Sequence, residues 1–192
     1  MTALGCAKAR ANTWQPSSGH TQIQIWPSGA VPDPMPSTGI EDEVTESKTL
    51  IGGKTVLSVN NVTHPTMTVY SPSGKNTGAA VVVFPGGGYQ VLAIDLEGTE
   101  ICDWLTSKGI TCMLLKYRVP GKWVGPYRES PLALQDAQRA LGLLRFRASE
   151  WHVDPHKVGV IGFSAGGHLL HEVSFCNRFR LTDLAHQLLE VA

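Results

Sequence analysis

Gly162-Phe163-Ser164-Ala165-Gly166 follows the apolar run Val158-Gly159-Val160-Ile161 and precedes a stretch with helical character. That order predicts a strand turning sharply into a helix, with a serine at the apex. A Cβ two residues either side of the serine would strike the neighbouring strand or helix. Glycine removes the clash and tolerates the strained backbone.

The rest of the chain agrees with that turn. Ala79–Phe84 is a continuous apolar run, as in strands buried on both faces, and Ile110–Tyr117 reads as another apolar strand. Residues 97–108 place Ile101, Trp104 and Leu105 on one helical face, closed by Gly109. Residues 131–148 carry Leu134, Ala137, Leu141, Leu144 and Ala148 at helical spacing, with Pro131 suited to the first turn. Two further strands are predicted near Lys54–Val59 and Thr66–Tyr70. Strands alternating with helices predict a parallel α/β sheet with right-handed crossovers. Residues 1–50, interrupted by Pro27, Pro32, Pro34 and Pro36, read as an irregular lead-in that packs over the domain or forms an arm, the first being preferred. Residues 51–192 read as the α/β domain. The acidic stretch Glu41-Asp42-Glu43 with Glu46 reads as a solvated loop.

Composition removes several function classes. Sixteen basic residues balance sixteen acidic ones, and no Lys/Arg cluster breaks that neutrality, so the footprint of a nucleic-acid binder is missing. No apolar run reaches membrane-spanning length, and Met1–Arg10 lacks the apolar centre of an intact signal peptide. The expected location is cytoplasmic or that of a processed secreted or periplasmic chain. Asn61-Val62-Thr63 is a glycosylation acceptor only in a eukaryotic secretory setting. Cys6, Cys102, Cys112 and Cys176 form no C-x-x-C pair, which argues against structural zinc; Cys102 and Cys112 read as buried free thiols.

The chemistry centres on Ser164. A serine hydroxyl needs a base to take its proton and donors to hold the oxyanion that develops on the attacked carbonyl. The N–H of Ala165, at a helix start, is one such donor. The triple-glycine loop Gly86-Gly87-Gly88 is placed to give the others, since glycine lets the backbone approach a substrate closely. That loop has neither a G-K-[ST] ending nor G-x-G-x-x-G spacing, so phosphate-loop and dinucleotide readings fail. Tyr89, Trp123 and Tyr127 are candidates for lining the substrate site, with packing over the sheet an equal option for Tyr89. His168 and His171, three residues apart, lack an obvious third ligand, and no metal or cofactor is implied. Asp136 and Arg139 read as a local helical ion pair, and Trp104 and Trp151 as core.

Four separated motifs carry a family resemblance: Phe84-Pro85-Gly86-Gly87-Gly88-Tyr89, Leu115-Lys116-Tyr117-Arg118-Val119-Pro120, Leu134–Ala140, and Val160–Leu169, with Ile25-Trp26-Pro27 upstream. The chain resembles the α/β-hydrolase esterases of the bacterial acetyl, xylan or feruloyl esterase type. The resemblance implies the α/β-hydrolase fold, a doubly wound, mostly parallel sheet, here C-terminally incomplete. It implies Ser164 as nucleophile, Gly87, Gly88 and Ala165 as oxyanion donors, and a small ester or acetylated carbohydrate as substrate. One departure is Pro85, where many relatives carry histidine.

The other departure is larger. Beyond His168 the pattern fades, and the strands that should carry the triad acid and histidine are absent. Asp183 and His186, three apart, could pair but read better as a solvated helix face. Neither triad partner of Ser164 is identified, so the chain alone is expected to be weakly active or inactive. The open sheet edge this would leave favours self-association. The alternatives are a non-catalytic binding module, which would bind acetylated xylo-oligosaccharide without forming an acyl-enzyme, or peptidase-like chemistry on the same fold. Dienelactone hydrolases usually carry cysteine where this chain has Ser164.

Overall fold

The computed structural model describes residues 13–27, 30–35, 39–120 and 131–175. Its main sheet has five strands in the order β1-β4-β7-β5-β8: β1 (Thr21–Gln24), β4 (Thr66–Tyr70), β7 (Thr111–Lys116), β5 (Ala80–Phe84) and β8 (Val158–Gly162). A second, antiparallel sheet orders β2 (Glu43–Glu46), β3 (Leu57–Asn60) and β6 (Val91–Ala93). Three α-helices accompany them among the described residues: α1 (Glu100–Ser107), α2 (Pro131–Phe146) and α3 (Ala165–Phe175).

The main sheet is mixed rather than mostly parallel among the described residues. β5 runs parallel to both β7 and β8, whereas β4 runs antiparallel to both β1 and β7. The cause is connectivity. Parallel neighbours need a long crossover, and helices supply one only after β5. β4 enters before the strand–helix alternation begins. β5 is also where the order reverses, since the chain goes to β7 on one side and to β8 on the other. In open α/β sheets the crevice at such a point, beyond the strands' carboxyl ends, is where ligands bind.

β4, β5 and β7 are buried almost throughout, whereas β8 is half-buried. Met67, Val82, Val83, Phe84, Met113 and Leu115 have no exposed surface. On α2 the buried side chains recur at helical spacing, from Ala133 through Ala137 and Ala140 to Leu144. α1 buries Cys102 and Leu105, but Trp104 is 56% exposed at the margin of that face and does not join the core.

Two strands, β1 and β2, lie within the stretch expected to be irregular, and Trp14 and Ile25 join the core. The acidic patch is not a solvated loop. Asp42 is paired with buried Lys116, whose ammonium also sits 5.8 Å from the Trp14 ring centroid. Glu41 accepts from the N–H of Thr63 at 2.7 Å and from its hydroxyl at 2.6 Å. Asn61 is 2% exposed with φ 51°, so the folded chain offers no accessible glycosylation acceptor there.

Cys102 and Cys112 are not free thiols; they form a disulfide across ten positions of chain. α1 folds back onto β7, so two widely separated cysteines face each other, with Cα atoms 5.1 Å apart. Spacing in sequence conceals such a pair.

Candidate active site

β8 ends at Gly162, and the chain reverses through Phe163 and Ser164 into α3. Ser164 takes φ 48°, a conformation that L-residues adopt at a cost. The neighbouring glycines explain why the turn closes. A Cβ on Gly162 would lie 2.2 Å from the Gly166 carbonyl oxygen, and one on Gly166 would lie 2.1 Å from that of Phe84. Both contacts are with backbone carbonyl oxygens, so no side-chain rotation could relieve them. Hydrogen bonds from the Phe163 N–H to Phe84 O (3.1 Å) and from the Gly166 N–H to Phe163 O (2.7 Å) fix the turn against β5. Ser164 is left exposed at its apex.

The glycine loop after β5 lies directly against this serine. A Cβ on Gly86 would sit 2.6 Å from the Phe163 carbonyl oxygen and 3.0 Å from the Ser164 Cβ. The loop's peptide planes are held one after another. Buried Tyr117 donates its hydroxyl proton to the Pro85 carbonyl at 2.6 Å, while the Gly86 N–H in the same plane reaches Glu97 Oε2 at 2.8 Å. The Gly86 carbonyl accepts from the Ala93 N–H at 2.9 Å. The Gly87 carbonyl accepts from Gln90 and Val91 N–H groups at 3.1 and 3.2 Å. No cis peptide occurs among the described residues, and in a trans peptide the N–H points opposite to the carbonyl. Clamping the carbonyls of Gly86 and Gly87 therefore fixes the N–H groups of Gly87 and Gly88. Among the described residues no acceptor engages those two N–H groups or that of Ala165.

Gly87 itself has φ 133°, and a Cβ there would meet the Val91 carbonyl oxygen at 2.1 Å, so only glycine fits.

The scan for known families matches the BD-FAE profile to residues 67–184, more than half of the chain. The chain belongs to the BD-FAE family. Over 104 residues it is 36% identical to the acetylxylan esterase of Xylanibacter ruminicola, matching 54% of this chain and 20% of that protein. Over 119 residues it is 28% identical to an arylesterase of Saccharolobus solfataricus, matching 59% and 37%. Among solved structures, the acetyl ester-xyloside bifunctional hydrolase of Caldicellulosiruptor lactoaceticus superposes with a TM-score of 0.57 at 30% identity, over 78% of this chain and 44% of that one. The chain thus spans less than half the length of these relatives. The α/β-hydrolase fold and the kinship with esterases that its motifs imply are both present.

In this BD-FAE chain Trp26, Arg118 and Asp136, from three of the motifs, meet in one largely buried network that their spacing in sequence does not show. Asp136 pairs with Arg118, not with Arg139. The Arg118 Nη2 lies 2.8 Å from Asp136 Oδ1, with neither side chain exposed. The Trp26 indole N–H adds a bond to the same carboxylate at 2.8 Å. Arg139 turns away, donating to the Ile25 carbonyl at 2.8 Å and stacking over Trp26. The available signal is that Arg118 lies next to the apolar run Ile110–Tyr117, where a buried charge needs a partner from elsewhere in the chain.

Tyr89 packs edge-on against Tyr117 and hydrogen-bonds the His168 ring, its hydroxyl 2.9 Å from Nδ1. Burial and the charge of Glu172 push its phenol up to about 12, so it stays neutral at physiological pH. This gives His168 a partner beside the turn. No hydrogen bond joins Ser164 to an imidazole among the described residues. Trp123, Tyr127, Asp183 and His186 lie outside the described residues.

Proposed function

We propose that this BD-FAE protein is a serine carboxylesterase acting on small acyl esters, with acetyl groups on carbohydrate as the first substrate class. The observation that carries the reading is the packing of Gly86 against Ser164, which brings the glycine loop to the serine; among the described residues no acceptor engages the N–H groups of Gly87, Gly88 and Ala165. Ser164 Oγ adds to the ester carbonyl carbon as its proton passes to a base. The carbonyl oxygen becomes an oxyanion held by those three backbone donors, a contribution on the order of 3–4 kcal/mol per donor. The carbon–oxygen bond to the alcohol then breaks and the alcohol leaves with the proton. Water attacks the acyl-enzyme and regenerates Ser164. α3 adds positive potential at its N-terminus.

The carbohydrate preference rests on the acetylxylan esterase and the acetyl ester-xyloside hydrolase among the relatives. In the same reading, the doubly wound, mostly parallel sheet belongs to the whole fold, and the triad acid and histidine to a part outside the described residues. β8 has a ladder on one side only among the described residues, so self-association through that edge is part of the reading and is checked by light scattering.

The test compares the whole protein on acetylated xylo-oligosaccharides and on p-nitrophenyl esters of increasing acyl length. Release of acetate that vanishes in Ser164→Ala supports the reading. Release that survives in Ser164→Ala refutes it.

A further inference from the structure

The glycine loop holds one charged clamp that the proposed reaction does not use. Glu97 lies in a π-helical turn, Asp95–Thr99, closed by the Thr99 N–H on the Ile94 carbonyl at 2.9 Å. Such turns are rare and often occur at functional sites. This one is anchored at both ends. Asp95 accepts from the Leu57 N–H at 2.9 Å, tying it to β3. Gly98 is buried, and a Cβ there would press within 3.0 Å of Leu114 on β7. Between these anchors Glu97 is delivered to the Gly86 N–H at 2.8 Å, an interaction strengthened by the carboxylate.

Resting on the ester-hydrolase reading, we infer that Glu97 is a positioning residue for the oxyanion loop. It does not touch the reacting atoms. It holds the plane that joins Pro85 to Gly86, and the Ala93 N–H holds the next plane from the same segment of chain. Together they seat Gly86 against Phe163 and Ser164, where the room left is too small for a methyl group. The N–H groups of Gly87 and Gly88 thereby keep a fixed distance and aim relative to Ser164. Without Glu97, the Gly86 N–H loses its acceptor and only the Tyr117 hydroxyl is left holding that plane, at its carbonyl end. A misplacement of about 1 Å at reacting geometry can cost on the order of a hundredfold in rate.

The test is steady-state kinetics of the whole protein on p-nitrophenyl acetate, with Glu97→Ala and Glu97→Gln beside wild type. Glutamine keeps an acceptor oxygen and drops the charge. Glu97→Ala should lower kcat by about ten- to a hundredfold with little change in KM, because the lost alignment matters most when the oxyanion forms. Glu97→Gln should recover most of that loss. Unchanged kcat in Glu97→Ala beside normal wild-type turnover would overturn this inference and leave the ester-hydrolase reading standing. Absence of Ser164-dependent turnover in wild type would overturn both. Amide exchange gives a second readout should Glu97→Ala fail to fold. Slow exchange at Gly86 with fast exchange at Gly87 and Gly88 supports the clamp; exchange at Gly86 as fast as at Gly87 refutes it.

Discussion

Arg118 and Asp136 face each other wholly out of solvent, Nη2 to Oδ1 at 2.8 Å, with the Arg118 backbone N–H on the other carboxylate oxygen at 3.0 Å. Guanidinium and carboxylate each have further partners: Pro32 O and Gln135 Oε1 accept from Arg118, and Trp26 donates to Asp136. A pair so satisfied tolerates loss of one member badly, because the other charge is left buried. Asp136→Ala should destabilise the fold by about 3–5 kcal/mol, read from urea unfolding. Trp26→Phe, which removes one donor, should cost only about 1–2 kcal/mol.

The turn at Ser164 should tolerate no added methyl at its glycines. Gly166→Ala drives a Cβ into the Phe84 carbonyl oxygen at 2.1 Å, and overpacking against backbone should cost about 3 kcal/mol or more. Gly159→Ala is the internal comparison. Its Cβ would meet Val81 Cγ2 at 3.7 Å, an ordinary contact, so stability should change by about 1 kcal/mol or less. Thermal unfolding of the two variants distinguishes a local clash from a general intolerance of β8.

Glu41 should make part of the stability acid-sensitive. Burial raises its carboxyl, but bonds from the Thr63 hydroxyl and from the N–H groups of His64 and Thr63, with the nearby His64, bring it below its ordinary value. A depressed carboxylate stabilises the fold above its unfolded value and loses that contribution as pH falls through the folded one. Glu41→Gln should therefore be less stable than wild type near neutrality. The gap between them should narrow as pH falls below the ordinary carboxylate range and through the folded value, seen as converging urea midpoints.

Tyr89 should resist ionisation. Its phenol is pushed up to about 12 by burial first and by Glu172 second. A raised value stabilises the fold below the ordinary tyrosine range, and that contribution is lost as pH rises through about 12. Ultraviolet titration should show one high-pH tyrosinate transition missing in Tyr89→Phe. Glu172→Gln should move the Tyr89 transition down, since a like charge has been removed.

Much of this was legible in the sequence where local sterics and burial coincide. β4, β5 and β7 are buried almost throughout and β8 is an apolar, half-buried strand, and the bounds expected from the sequence lie within a residue or two of theirs. The sharp turn was legible because Gly162 and Gly166 are each forced by a backbone contact. What escaped depends on contacts distant in the chain. β1 and β2 are short, half-exposed strands that hold their shape through β4 and β3. The Asp136–Arg118 pair spans 18 positions and competes with a plausible neighbour at helical spacing. The disulfide depends on how α1 packs on β7. The π-helical turn that carries Glu97 has no periodic pattern of its own, since its shape comes from Asp95 and Gly98.

In the proposed function Ser164 is an activated nucleophile flanked by backbone donors. Intact-mass and peptide mass spectrometry after treatment with a fluorophosphonate test it most directly, because the phosphonyl group mimics the tetrahedral intermediate and needs both nucleophile and oxyanion donors. The account predicts a single adduct, mapped to Ser164 and absent in Ser164→Ala. No adduct on folded protein, or an adduct that persists in Ser164→Ala, would contradict it.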